Sequence, residues 1–264
     1  MKIVRCMIGE KAEYGIVEGD KIILCDGDPF TMLNRRADTV DLKSAKLMAP
    51  VVPPNVICIG LNYKKHADEI KMARPAKPVV FMKTTTTVCG PGDNVVLPAA
   101  DNDQIDYEAE LVIVIKKSAK FVAEKDVPDY ILGYTVANDI SNRGVQFTDG
   151  QWVRSKSYDT FCPIGPAIVT DINGDNLGIS CRLDGKVLQS SNTADMIFTV
   201  SQMVSFLSNC MTLLPGTIIL TGTPEGVGFT RKPQIFLKAG QTLETEIEGI
   251  GILTNKIISS QATG

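Results

Sequence analysis

Apolar residues along this chain come mostly in short runs set off by Gly, Pro, Asn and Asp. Such runs predict strands over residues 2–7, 13–18, 21–24, 56–60, 79–82, 111–115, 132–137, 167–169, 179–183, 187–189, 217–220, 242–248 and 251–258. Apolar spacing of the helical kind predicts a core helix over 197–207. A second helix is expected over 64–72, a helical turn over 30–36, and a turn or helix over 126–131. Many strands and few helices predict an α+β, mainly β architecture. The Pro-rich stretch 49–54 cannot continue a helix or a central strand and reads as a linker. It sets a small β-rich N-terminal unit, residues 1–50, apart from a larger domain, 51–264. The first unit is too small to bury a core alone.

The richest chemistry stands at the start of the 111–115 run, in Asp106-Tyr107-Glu108-Ala109-Glu110. On a continuous strand, side chains alternate with period two, so all three carboxylates point one way, about 7 Å apart. Unpaired buried charge is costly. The stretch therefore reads either as a solvated acidic entrance paired with lysines or as a site for a hard divalent cation, which prefers oxygen ligands.

Composition narrows the second possibility. The 264 residues carry 27 basic and 30 acidic side chains, well mixed, for a net charge of −3. No basic stripe suits nucleic acid, and no apolar run approaches the ~20 residues of a membrane span. The N-terminal residues show no secretion signal, and a cytoplasmic location is expected. Seven scattered cysteines without a C-x-x-C pair offer neither a disulfide framework nor a zinc site. With one histidine, His66, no site built on several imidazoles is available. Any metal chemistry must use oxygen donors.

Three further segments carry polar groups. His66 and Glu69 lie three apart on one helix face, either as an exposed bystander and its neighbour or as an imidazole oriented by a carboxylate for acid–base work. Asn138-Asp139-Ile140-Ser141-Asn142-Arg143 follows the 132–137 strand. It reads equally as a site edge and as an Asx-type helix cap with a solvated arginine. The turn Thr221-Gly222-Thr223-Pro224-Glu225-Gly226-Val227-Gly228 has neither P-loop nor dinucleotide-binding spacing, yet can offer backbone N–H groups to an anion.

In order along residues 55 to 258, the chain resembles the fumarylacetoacetate hydrolase family. The resemblance is carried by Ile59-Gly60-Leu61-Asn62-Tyr63 with His66 and Glu69, Phe81-Met82-Lys83, Asp106 to Leu111, Asn138 to Ser141 with Arg143, Lys156, Pro163 to Pro166, and Leu220 to Gly228. It implies a distorted β-sandwich or β-roll with a small N-terminal domain, and a homodimer. It also implies Mg2+ or Mn2+ (or Ca2+) held by Glu108, Glu110 and Asp139, with Asp106 part of the motif but not a ligand. By the same resemblance, Arg143, Gln146, Lys156 and Thr223 contact substrate, and His66 with Glu69 forms an acid–base pair on a segment that orders over bound ligand. Leu61 stands where relatives that cleave acylpyruvates have Arg.

The reading that follows is a metal-dependent hydrolase that cleaves a C–C bond in a 2-oxo or β-diketo carboxylic acid of the acylpyruvate or fumarylpyruvate type. Oxaloacetate decarboxylation and isomerisation of 2-hydroxyhepta-2,4-diene-1,7-dioate use the same residues and stand as alternatives. A non-catalytic metal-binding protein is a further alternative, for which the His66–Glu69 pair would have no use.

Overall fold

The computed structural model describes residues 1–100 and 103–260. The strand Ala109–Ile115 lies at its centre, buried at every position. Its odd-numbered residues, Ala109 to Ile115, join one core cluster, and Val112 and Val114 join another on the opposite face. Cover on both faces is why this run is apolar without alternation.

Around that strand a large sheet runs in the order Met32–Asp41, Lys21–Asp28, Lys11–Glu18, Lys2–Ile8, Cys162–Val169, Ile131–Asn138, Ala109–Ile115, Ile218–Leu220, Val56–Gly60, Val79–Lys83. A five-stranded sheet packs against it, ordered Lys186–Asn192, Gly178–Leu183, Thr242–Ile247, Gly251–Ser259, Asn94–Leu97. Between the sheets, Leu111 and Ile113 share a core with Ile179, Leu243, Ile247 and Leu253. Two sheets closing on a common core make the distorted sandwich that the strand-rich pattern and the motifs implied. The helix Val200–Cys210, with a Thr199–Gln202 capping box, buries Met203, Val204 and Leu207 in that same core. No helix of the described residues is long and apolar enough to cross a membrane.

The N-terminal strands continue one end of the large sheet, which Met32–Asp41 closes: Lys2 and Ile3 pair with Val169 and Ile168. Ile3 enters the core cluster behind the central strand, and Val4, Cys6, Ile22 and Leu24 make a smaller cluster with Ala167.

Three local expectations need correction. Residues 30–36 do not make a helical turn: Met32–Asp41 is a strand paired antiparallel with Lys21–Asp28. The Asp28 carboxylate, accepting from the Phe30 and Thr31 N–H groups, closes the hairpin. The expected helix over 64–72 ends early, as Lys64–Glu69, because Lys71 adopts a left-handed φ of 58°. The acidic stretch is not one strand. Ile105–Asp106 pairs with Ser141–Asn142, the ladder breaks at Tyr107-Glu108, and Ala109 opens the central strand. Asp106 lies outside the cluster that Glu108 and Glu110 form with Asp139.

Candidate active site

The topology delivers the site. Val56–Gly60 and Ile218–Leu220 are parallel, whereas Ala109–Ile115 is antiparallel to Ile218–Leu220 and to Ile131–Asn138. The C-terminal ends of three strands and the start of the fourth therefore meet at one edge of the sheet. That edge collects the 61–69 segment, Glu108 and Glu110, Asp139, and the turn 221–228. Gly222 (φ 95°) is required there, since a Cβ would come within 2.8 Å of the Asn62 Cβ and 3.1 Å of the Ile59 carbonyl. Buried Asn62 fastens the edge, donating to the Thr221 carbonyl at 2.8 Å and accepting from the Phe198 N–H at 2.8 Å.

One carboxylate oxygen from each of Glu108, Glu110 and Asp139 lies within 4.8 Å of the others, and all three residues are buried. Three buried cations answer them. Lys156 Nζ donates to Glu108 at 2.7 Å and Asp139 at 2.6 Å, and Lys83 Nζ to Asp139 at 2.5 Å. Arg143 donates to Glu108 at 2.5 Å, to Asp106 at 2.7 Å and to Gln146 at 2.8 Å. Arg143 is thus no solvated face residue, and the helix cap nearby is Asn142, whose side chain accepts from the Val145 N–H. The acidic cluster does have lysine partners, but it is buried rather than a solvated entrance.

Glu110 is the carboxylate without a cationic partner among these contacts, receiving only the Gly222 N–H at 2.7 Å. Burial and the neighbouring Asp139 and Glu108 push its carboxyl well above the usual range. For Glu108, burial is outweighed by Lys156 and Arg143, which hold it well below that range. For Lys156, Asp139 and Glu108 overcome burial and raise the ammonium. This donor set fits a hard divalent cation: all-oxygen, anionic, convergent, with one carboxylate that a cation would relieve.

His66 stands over the same edge. Its Nδ1 meets Glu69 Oε2 at 2.9 Å, while Glu69 Oε1 accepts from the Gly226 N–H at 3.0 Å and the Thr230 hydroxyl at 2.9 Å. Burial pushes Glu69 upward, but the hydrogen bonds from His66, Thr230 and Gly226 hold it below the ordinary carboxylate range. An ionised Glu69 only accepts, so Nδ1 carries the hydrogen and Nε2 is left to exchange a proton. The glycine-bearing turn does present N–H groups to anions, and these anions are the protein's own Glu110 and Glu69.

A cavity of about 350 Å³ is lined by His66, Glu108, Glu110, Arg143, Gln146, Lys156 and Thr223. Asp139 and Glu69 sit one contact behind it. The structure therefore brings together every residue singled out for the site from the sequence. Two others were given no role in the site. Lys83, named only within the Phe81-Met82-Lys83 motif, is fully buried on Asp139. Buried Gln189 accepts from the Ala109 N–H at 2.9 Å and donates to Thr223 Oγ1 and the Pro224 carbonyl, each at 2.9 Å. It ties the central strand to the turn from the opposite sheet, and no local pattern marks it.

Comparison with known proteins agrees with this geometry. Residues 55–258 match the family described as fumarylacetoacetate (FAA) hydrolase, C-terminal, and residues 1–50 match one described as Rv2993c-like, N-terminal. The fumarylacetoacetate hydrolase domain-containing protein 2 homolog of Dictyostelium discoideum is 48% identical over 238 residues, 85% of this chain and 77% of its own. The mitochondrial oxaloacetate tautomerase Fahd2a of Rattus norvegicus is 45% identical over 216 residues, 80% of this chain and 69% of its own. Among solved structures, 5-carboxymethyl-2-hydroxymuconate delta-isomerase from Mycobacterium smegmatis superposes with a TM-score of 0.90 at 37% identity, covering 98% of this chain and 100% of that one. The 2-hydroxyhepta-2,4-diene-1,7-dioate isomerase from Mycobacterium marinum gives 0.89 at 37% identity, covering 98% and 99%. With motifs, fold and most of its length in agreement, the chain belongs to the fumarylacetoacetate hydrolase family.

Proposed function

We propose that this protein is a divalent-metal-dependent enzyme that moves a proton between carbon and oxygen beside the keto group of a 2-oxo acid. The observation that carries this reading is the shared cavity: convergent Glu108, Glu110 and Asp139 lie against the same space as His66, which Glu69 orients. Mg2+ or Mn2+ held by the three carboxylates would supply electrophilic stabilisation to a keto oxygen. Lys156 and Arg143 neutralise the substrate carboxylate, and Gln146 and Thr223 orient its oxygens. His66 takes the proton from the carbon at Nε2 and returns it, while Glu69 keeps Nδ1 protonated. Relatives named as oxaloacetate tautomerase, and structural neighbours named as isomerases, support proton transfer as the central step.

Hydrolysis of a C–C bond in an acylpyruvate or fumarylpyruvate is the second reading. It is favoured by the 2.9 Å His66–Glu69 contact, which suits an imidazole that deprotonates water. The test offers oxaloacetate, an acylpyruvate, fumarylpyruvate and an apolar 2-oxo acid to the protein with Mn2+ and after EDTA. Keto–enol conversion, decarboxylation and cleavage are followed separately. Metal-dependent tautomerisation exceeding cleavage supports the first reading, and the reverse order supports the second. Turnover unchanged by exhaustive chelation would overturn both.

We also read residues 1–50 and 51–264 as separate units of descent, the chain as a homodimer, and its compartment as the cytoplasm. Seven cysteines, all free thiols, support a reducing environment.

A further inference from the structure

The cavity has a charged floor and an aromatic mouth, and two contact chains lead from one to the other. Lys156 Nζ lies 5.2 Å from the Phe81 ring centroid, and Phe81 meets Trp152 edge-on with centroids 5.2 Å apart. On the opposite wall the Arg143 guanidinium lies 4.5 Å from the Phe229 centroid, and Phe229 meets Phe147 edge-on at 5.6 Å. Trp152 is seated against the backbone, because a Cβ on Gly60 would fall 2.5 Å from its ring. Ile59, Leu61, Ile70, Met72 and Val79 add aliphatic lining. Among the described lining residues, Arg143 and Lys156 are the only lysine or arginine, and both stand at the floor.

Charge points the same way. Asp106, Glu108, Glu110 and Asp139 bring four negative charges, and Lys83, Arg143 and Lys156 three positive ones. A divalent cation leaves this group with one surplus positive charge, which the ionised Glu69 beside a neutral His66 base cancels. One substrate carboxylate is met by Arg143 and Lys156 at the floor. A second would enter an aromatic mouth with no cation to meet it, and burying it unpaired is costly.

From this we infer that the mouth is a specificity subsite for an apolar arm, so that the preferred substrate is a 2-oxo monocarboxylic acid with an alkyl or aryl group beyond the reacting carbon. The inference rests on the reading that the cavity binds a 2-oxo acid. It parts from the di- and tricarboxylates named for the relatives and structural neighbours.

Oxaloacetate and α-ketoisocaproate make the test, being near-isosteres that differ in carboxylate against isopropyl at the distal end. Two readouts apply to the Mg2+-loaded protein: emission of Trp152, the chain's one tryptophan, and enzyme-catalysed exchange of the hydrogens next to the keto group with deuterated solvent. Pyruvate, which has no arm, is the control for emission. α-Ketoisocaproate should change the emission saturably, pyruvate should not, and both affinity and exchange should favour α-ketoisocaproate over oxaloacetate by at least ~tenfold. Val79→Arg or Phe147→Lys, each at an exposed position of the mouth, should shrink that preference about tenfold or more. Preference for oxaloacetate in both readouts would overturn the inference and leave metal-dependent proton transfer standing. Binding in the expected order without any exchange would leave the subsite standing and remove the proposed reaction.

Discussion

The Thr230 hydroxyl donates to Glu69 Oε1 across 2.9 Å. Its neighbour Phe229 donates its N–H to Asp106 Oδ2 at 2.9 Å, and the Phe229 ring lies beneath Arg143. One short helical turn, Gly228–Thr230, thus braces the acid–base pair and the arginine side of the floor together. Thr230→Val deletes one of the hydrogen bonds that keep Glu69 ionised, at nearly constant volume. Glu69 should titrate higher, so the acidic limb of the kcat/KM profile should move to higher pH, and Thr230→Ser should restore it. The sign for stability follows from the lowered carboxyl. Its contribution is present above the unfolded pKa and is lost as pH falls through the folded value. The variant should be less stable by about 1.5–3 kcal/mol at neutral pH, a typical loss for a hydrogen bond to a charged group. That deficit should vanish in acid, as urea titrations across pH would show.

Glu110 gives the opposite sign. In the metal-free protein its carboxyl is raised, so the native state holds a proton that the unfolded chain releases, and stability falls as pH rises through that window. Binding of Mn2+ needs the ionised form. Affinity should therefore strengthen with rising pH, with proton uptake by the buffer detected by calorimetry in buffers of different ionisation enthalpy. Glu110→Gln should abolish both the pH slope and metal-dependent activity. A slope that survives the substitution would assign the proton elsewhere.

Lys156 bridges Glu108 and Asp139. Lys156→Met leaves buried carboxylates under-compensated, and the metal-free variant should lose about 3–5 kcal/mol, the usual result of removing one partner from a buried ion pair. Mn2+ should recover much of that loss. If Lys156 also stabilises the developing enolate, kcat should fall by ~10²–10³ along with a raised KM. A rise in KM alone would make it an anchor for the carboxylate.

His66→Gln and Glu69→Gln should each slow proton transfer or C–C hydrolysis by ~10²–10⁴, the usual contribution of a positioned base, with Mn2+ affinity unchanged. Decarboxylation of oxaloacetate, which needs no activated water and can take its proton from solvent, should lose far less. Equal losses in every reaction would make the pair part of substrate closure rather than the base.

What local chemistry dictates was legible in the residues themselves. Period two places Glu108 and Glu110 on one face, a spacing of three joins His66 to Glu69, and an unbroken apolar run announces a strand buried on both sides. The glycine-bearing turn could be read as an anion cradle because N–H groups without side-chain cover need partners. Other relationships arise only when distant strand ends are brought to one edge. Asp106 meets the Arg143 guanidinium and the Phe229 N–H, with Ile105–Asp106 paired to Ser141–Asn142 rather than continuing the central strand. Lys83 meets Asp139, Gln189 ties Ala109 to Thr223, and Thr230 braces Glu69, each across a long loop of chain. Periodicity reports which way a side chain points from its own strand. Which partner waits there is decided by sheet order and by burial, which forces every enclosed charge and amide to find one.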